Sequence, residues 1–389
     1  MKVGIVANEF FDLSLGRMGG FGWAARQAAT TLRAAEGGRF EPVFLAGEIR
    51  ARADEPDPVA HESRLVLRRA DEAEHARRVR DEGIDLLLSI DYRPHYEALF
   101  RLLPHTPLVV WVRDPRTPED IARIRTLRIP GAGDETPAGI MTPDCTSLGR
   151  VVAESAAHGR PVLFATPALP LLAKIPGAYG LPLAEGSFLP NIIDLSPLEP
   201  IVKSPRPSVV FLGRLDPIKR PWLFAELARH FPCVDFVFLG KPHFEGRGSW
   251  QTSSLPDNVR LAGHLDGAEK IRALSTAWAL VNTSIHESLA VSFLEALACE
   301  TPPLACVDGA GTVTDHGVFV GRHDGDGLGG MPMLVDGLSR LLDDGELRTR
   351  LGREGRRWVT ETHTASRFMT EFTRLCATAG LPLENGPIG

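Results

Sequence analysis

The sequence predicts an α/β protein built from two Rossmann-like, doubly wound domains. Three observations predict it. Short continuous apolar runs alternate with stretches of helical periodicity along almost the whole chain, as parallel strands covered on both faces do. The alternation breaks at the proline-rich SPLEPIVKSPRPS (196–208) and then restarts, which reads as a linker between domains. A chain of 389 residues has room for two cores at roughly 100–200 residues per domain.

Each element follows in order. VGIVAN (3–8) is a strand and GWAARQAATTLRAA (22–35) a helix. EPVFLAG (41–47), DEGIDLLLSID (81–91), TPLVVWVRD (106–114) and RPVLFATP (160–167) continue the strand series. After the linker come strand SVVFLG (208–213), helix PWLFAELARHF (221–231), and strands VDFVFLG (234–240) and NVRLAG (258–263). Helix AEKIRALSTA (268–277), strand WALVNTS (278–284), helix VSFLEALACE (291–300) and strand PPLACV (302–307) complete the pattern. The expected organisation is an N-terminal domain over 1–195, the linker, a C-terminal domain over 209–365 and a last helical segment over 366–389. Ligands of such folds lie at the carboxyl ends of the strands, so the two domains are expected to face each other across a binding cleft.

Composition narrows the function classes. The 43% apolar and 24% charged fractions are those of a globular protein, and a net charge of −6 argues against a general nucleic-acid binder. The basic residues are almost all arginine, with only six lysines. Five cysteines without CxxC spacing point to buried free thiols in a reducing cytoplasm rather than to disulfides or zinc. MKVGIVAN reads as a first strand, too short for a signal peptide core, and no run reaches the ~20 apolar residues of a membrane span. The Arg-rich RLVLRRADEAEHARRVR (64–80) is the candidate for peripheral contact with the inner membrane. Asp71, Glu72 and Glu74 dilute it, and a solvated helix face is the preferred reading.

Two places carry chemistry. In SVVFLGRLDPIKRPWLF (208–224) a buried strand ends at Gly213 and a helix starts at Pro221, where a missing N–H costs nothing. Arg214 and Lys219 flank a helix start whose amides already attract anions. A guanidinium fork and a point-charge ammonium suit a diphosphate; a surface turn with two solvated cations is the plain alternative. In HESLAVSFLEALACETPP (286–303), Glu287 and Glu295 stand eight positions apart. At about 100° per residue they end about 80° past two turns and share a broad face. Ionised carboxylates only accept hydrogen bonds, which suits the vicinal hydroxyls of a ribose at Glu295 and of a sugar at Glu287. The amides of Ser288, Leu289 and Ala290 lie beside them. The plain alternative makes Glu287 a helix-terminus charge and Glu295 an exposed residue. Apolar Phe293, Leu294, Ala296, Leu297 and Ala298 around Glu295 argue against its exposure.

Weaker candidates remain. RMGGFGWAAR (17–26) opens the first helix with Gly19, Gly20 and Gly22, which allow close approach of a ligand or serve a tight turn. Asp91, Tyr92 and His95 follow one strand end, Arg113 and Asp114 another; they are candidate ligand contacts, or polar loops. His286 reads as structural rather than catalytic. The DGD at 324–326 follows the wrong strand for a metal-binding DxD, and no metal is expected.

Taken together, the E-x7-E spacing, GRLDPIKRP, LPNIIDLSPL (189–198) and GELRTRLGREGRRWVTE (345–361) resemble the retaining glycosyltransferases of family four, which have the GT-B fold of two Rossmann-like domains. The resemblance covers nearly all of the C-terminal half and, more loosely, the first ~120 residues. It implies that Arg214 and Lys219 bind a donor diphosphate, that Glu295 holds the ribose and Glu287 the transferred sugar, and that the Gly19–Gly22 loop lies against phosphates or acceptor. It also implies that the last helix, 366–380, crosses back onto an N-terminal acceptor domain. The co-substrate would be a nucleoside-diphosphate sugar, a UDP-sugar first, with no permanently bound cofactor and no metal requirement, and the acceptor a hydroxyl of a small molecule or glycan. Two positions depart from the family: Ser288 and Ala290 stand where glycine is frequent, and Arg113 replaces a histidine common after its strand. A nucleotide-sugar epimerase on the same fold and a catalytically silent sugar-nucleotide binder are the alternatives. Within the resemblance Asp91, His95, Arg113 and Asp114 would meet acceptor or sugar, Asp91 and Asp114 favouring a cationic acceptor such as an aminocyclitol, and backbone atoms near His264 and Leu265 would meet the base; the sequence does not identify the base, sugar, acceptor or oligomeric state.

Overall fold

The computed structural model describes residues 1–10, 19–52, 55–132, 137, 140, 143–182, 185–194, 201–242, 250 and 255–381. Residues 11–18, which take in Arg17 and Met18 at the start of the glycine-rich stretch, lie outside that set, as do 195–200, which take in the start of the expected linker and the end of LPNIIDLSPL. The chain divides into two units: Met1–Thr117 with Pro143–Ile192 and Thr364–Gly389, and Pro118–Thr142 with Ile193–His363.

In the first unit the elements run β1 Lys2–Ala7, α1 Gly20–Arg33, β2 Glu41–Arg50, β3 Val59–Ala60, β4 Ser63–Arg68, α2 Glu72–Asp81, β5 Leu86–Ile90, α3 Glu97–Leu102 and β6 Leu108–Trp111. Helix α4, Pro118–Arg125, departs to the second unit; α5 Leu148–Ala157, β7 Val162–Thr166, α6 Ile175–Tyr179 and β8 Gly186–Phe188 return to the first. The sheet order is β3-β4-β2-β1-β5-β6-β7-β8, parallel except at β3–β4. Alternate residues of one strand enter different cores: Val3 and Ile5 of β1 pack on one face and Val6 on the other, as do Val109 with Trp111 and Val110 of β6. Burial on both faces is why these strands read as unbroken apolar runs.

The second unit repeats the plan with β9 Ser208–Leu212, α7 Pro221–Arg229, β10 Asp235–Leu239, β11 Val259–Leu261, α8 Gly267–Thr276, β12 Ala279–Asn282, α9 Val291–Ala298, β13 Pro303–Ala305, α10 Thr312–His316, β14 Val318–Phe319, α11 Met331–Asp343 and α12 Gly345–Thr362. Its order is β11-β10-β9-β12-β13-β14, all parallel. The last helix, α13 Ala365–Thr378, belongs to the first unit. Phe368, Phe372, Leu375, Cys376 and Ala379 form its buried stripe, with Phe368 at 5.6 Å from Trp111 and Phe372 at 5.6 Å from Phe40 between ring centroids.

Three sequence expectations need correction. The stretch 64–80 is not one helix face: Leu65, Val66 and Leu67 are buried in β4, parallel to β2, and only α2 is helical. A three-residue apolar core between arginines is a buried strand, and Asp71 starts the helix by accepting from the amides of Ala73 and Glu74. Residues 118–129 were read within the N-terminal domain, yet Ile124, Leu127 and Ile129 pack with Trp222 and Leu223 in the second unit. Of the five cysteines, all free, Cys299, Cys306 and Cys376 are buried, Cys145 is half-buried and Cys233 is exposed. Among the described residues no helix is long and apolar enough to cross a membrane.

The ends of β9 and β10 meet closely. A methyl group on Gly240 would lie 1.8 Å from the carbonyl oxygen of Gly213, and Gly213 itself has φ +153°. Gly240→Ala should therefore force backbone movement, costing about 1–3 kcal/mol or more. An unchanged urea midpoint for that variant would show that the two strand ends do not touch.

Candidate functional site

In the second unit the strand order reverses between β9 and β12, which pair directly. The loops leaving these two strands thus stand side by side, the place where doubly wound folds bind ligands. The first loop begins at Gly213. Asp216 folds it into a 3-10 turn, Pro217–Lys219, by accepting from the Lys219 amide at 3.2 Å, and its other carboxylate oxygen lies 3.2 Å from Arg214 Nε. Pro221 then opens α7. The second loop begins at Asn282 and carries Glu287 into the start of α9.

Lys219 Nζ contacts Glu287 Oε1 directly. The same oxygen accepts from Ser284 Oγ at 2.7 Å and from Asn282 Nδ2 at 3.3 Å. Burial favours the neutral acid, but the Lys219 charge and these donors outweigh it and hold the Glu287 carboxyl below its usual range. Two of the residues singled out in the sequence, 68 positions apart, are in contact.

The feature that sequence reading missed is Arg220. It is fully buried and adopts the left-handed conformation, φ 45° and ψ 57°, immediately before Pro221. Its Nε donates to Thr283 O at 2.8 Å, Nη1 to His323 O at 2.6 Å and Nη2 to Ser284 O at 3.1 Å. In return Thr283 Oγ1 donates to Lys219 O at 2.7 Å and Arg220 O at 2.9 Å, and the Ile285 amide to Ile218 O at 2.9 Å. These bonds lace the Lys219 loop to the Glu287 loop. A non-glycine residue in this conformation costs of order 1–3 kcal/mol and persists where surroundings fix it. The readable signal was an arginine wedged between Lys219 and a helix-opening proline.

Glu295 does not join the Lys219–Glu287 contact. It faces α8, where Lys270 Nζ lies 2.8 Å from Glu295 and 3.2 Å from Asp266. Burial would lower the Lys270 pKa, yet the two carboxylates raise it. Phe293, Leu294, Ala296 and Leu297 around Glu295 are fully buried. Lys270 was the second unanticipated residue; the scarcity of lysine was its only signal. Ser288, Leu289 and Ala290 are buried, and Ala290 gives α9 no side-chain cap, which leaves its first turn suited to an anion. His264 and Leu265 follow β11 beyond Gly263, whose carbonyl accepts from the Gly240 amide at 2.7 Å. His286 pairs with Asp120 of α4 at 3.5 Å, both buried, a structural role. In the DGD turn, Asp324 lies 3.6 Å from Arg123 and Asp326 accepts from the Leu328 amide. Among the described residues no group of three or more potential metal ligands occurs.

In the first unit the reversal falls between β1 and β5. The start of α1 already meets a carboxylate: Glu9 Oε2 accepts from the Gly22 amide at 2.9 Å, and a methyl on Gly22 would collide with Glu9. Gly20 has open space around it. His95 Nε2 contacts the Asn8 amide group and lies 3.8 Å from Glu48; burial holds its pKa low against the pull of Glu48. Asp91, left-handed at φ 61°, is buried and accepts from Tyr179 OH at 2.5 Å and from the amides of Tyr92 and Asp114. Burial raises its pKa. Asp114 pairs with Arg116 at 2.8 Å. Asp91, Arg93, Asp114, Arg116 and Cys145 line a small recess. Arg113 is buried over the Trp111 ring, and burial pushes its pKa down to about 10.

Two Rossmann-like domains of parallel sheet with this connectivity define the GT-B architecture. Residues 199–358 match the family described as glycosyl transferases group 1, so this stretch carries a glycosyltransferase group 1 domain. Among curated relatives, the D-inositol 3-phosphate glycosyltransferase of Kineococcus radiotolerans is 30% identical over 212 residues, 45% of this chain and 47% of that protein. Its counterpart from Mycolicibacterium smegmatis is 28% identical over 180 residues, 43% of this chain and 40% of that protein. The chain thus matches these relatives over less than half of their length. Among solved structures, sucrose-phosphate synthase of Thermosynechococcus elongatus superposes with a TM-score of 0.70 at 16% identity, over 97% of this chain and 99% of that one. Anabaena HepE, solved with UDP-glucose, gives 0.67 at 14% identity, over 97% and 100%. At these identities the likeness concerns the fold.

Proposed function

We propose that this chain is a retaining glycosyltransferase of family four that moves a hexose-type sugar from a nucleoside-diphosphate sugar, a UDP-sugar first, to a hydroxyl acceptor in the cytoplasm. The observation that carries the proposal is the Lys219–Glu287 contact at the strand-order reversal of a group 1 domain. The second unit takes the donor and the first the acceptor. Lys219 and Arg214 meet the negative charge that builds on the departing diphosphate, with the first amides of α9 beside them, an oxyanion-type stabilisation in which two side-chain cations do the work assigned elsewhere to a metal. Glu287, kept ionised by its donors, accepts from hydroxyls of the transferred sugar. Glu295 accepts from the ribose, with Lys270 fixing its orientation. Attack from the face the donor leaves, with a donor phosphate oxygen taking the acceptor proton, needs no protein base. The Glu9 carboxylate at the start of α1 competes with any phosphate there.

The relatives' names support sugar transfer, and the UDP-glucose bound to HepE supports the donor class. A thermal-shift screen of nucleoside diphosphates tests it: a ligand at 100 times its Kd stabilises by about 2.7 kcal/mol. Glu295→Ala should weaken a UDP-sugar by on the order of 10-fold and leave a 2′,3′-dideoxyribose analogue unaffected, since only the former loses hydrogen bonds. Equal loss for both would remove Glu295 from the ribose. Isomerised donor without an acceptor would instead identify an epimerase, and binding without turnover a silent binder.

A further inference from the structure

Arg113 sits beyond the end of β6 and is 6% exposed. Its Nη2 donates to Asn191 Oδ1 at 2.5 Å, and its guanidinium carbon lies 4.5 Å from the centroid of the Trp111 ring. Its Nε and Nη1 have no hydrogen-bond partner, and neither has Nδ2 of Asn191, a residue with no exposed surface. Among the described residues no carboxylate pairs with Arg113. The acids whose charges reach it, Asp91 and Glu9, are engaged elsewhere, Asp91 by Tyr179 and two amides and Glu9 by the Gly22 amide.

The unmet atoms of this constellation are all donors, and its positive charge has no paired carboxylate among the described residues. A buried, unpaired charge costs several kcal/mol, and an orphan buried donor adds to that. Native proteins rarely leave such groups unmet. What satisfies three donors and one charge at once is an acceptor-only anion, and the flat guanidinium fork matches the two oxygens of a carboxylate or phosphate. We infer that Arg113 and Asn191, backed by Trp111, form an oxyanion subsite of the first unit, and that a substrate of this enzyme carries a carboxylate or phosphate ester held there. The substrate part of the inference rests on the proposed glycosyltransferase function. It reverses the cationic acceptor expected from Asp91 and Asp114, because Asp91 is spent on Tyr179 and backbone amides and Asp114 on Arg116.

The test compares the wild type with Arg113→Gln and Arg113→Met in thermal unfolding, with saturating UDP present so that the diphosphate site is filled. Inorganic phosphate or acetate should raise the wild-type Tm further and leave both variants unmoved. Without added anion, Arg113→Met should unfold at the wild-type temperature or above, because it removes an unpaired charge; an arginine of purely structural value would give a lower Tm. Two transfer arms then find the source of the anion. A hexose against its 6-phosphate and its uronic acid probes the acceptor, and UDP-glucose against UDP-glucuronate probes the donor. A preference of on the order of 10²-fold for the anionic member, lost in Arg113→Gln, is expected in one arm. An anion response equal in wild type and variants, or a Tm loss in Arg113→Met, overturns the subsite. If UDP gives no shift while the phosphate response still depends on Arg113, the subsite stands and the glycosyltransferase proposal fails.

Discussion

Lys219→Ala should lower kcat/KM for sugar transfer by about 10²–10³-fold, about 2.7–4 kcal/mol of transition-state stabilisation, as removal of one preorganised charge stabiliser does. The side chain sits at the tip of a 3-10 turn, against Glu287, in the reversal between β9 and β12. It is held there from its backbone, through the Asp216 carboxylate on its amide and Thr283 Oγ1 on its carbonyl. These two bonds survive the substitution, so the fold should too. The variant also strips the Glu287 carboxylate of its ionic partner but leaves Ser284 and Asn282 on it. A purely structural pair would show the opposite pattern, a lower urea midpoint with turnover near the wild-type rate.

Arg220→Met should cost about 3–5 kcal/mol of stability, the largest loss expected of any single substitution in the site region. Three carbonyls, the buried ones of Thr283 and Ser284 and the half-buried one of His323, would lose a charged donor, at about 1–3 kcal/mol for each buried one and not additively. The space is also specific: a methyl on Gly327 would reach within 2.5 Å of Arg220 Nη1. Arg220→Lys keeps a charge but has no fork to span three carbonyls, so it should rescue little. Because these bonds join the two loops that carry Lys219 and Glu287, activity should fall in step with stability in this variant. A midpoint unchanged in Arg220→Met would show that the lacing contributes nothing.

Most of the fold was legible because parallel strands buried on both faces leave unbroken apolar runs; LLLSI and LVVW became β5 and β6 inside the expected spans 81–91 and 106–114. Two kinds of information were not local. The strand β4 was hidden because RLVLR runs straight into a charged helix, so one window mixed two periodicities. Helix α4 gave no sign of its unit, since its partners Trp222 and Leu223 lie about a hundred positions away. In the site, Lys219 and Glu287 were readable from motif spacing and are in contact. Lys270 and Arg220 left only an unusual residue type or position in the sequence, because their roles depend on a neighbouring helix and on carbonyl positions. Arg113 was readable only as an unusual residue type; its orphan donors required coordinates.

The decisive measurement is calorimetric titration of UDP and UMP into the wild type and Lys219→Ala. If Lys219 and Arg214 hold a pyrophosphate, the wild type should bind UDP on the order of 10²-fold more tightly than UMP, about 2.7 kcal/mol, and Lys219→Ala should lose most of that difference while UMP binding stays as it was. An undiminished preference for UDP in Lys219→Ala, or no preference in the wild type, would contradict the assignment.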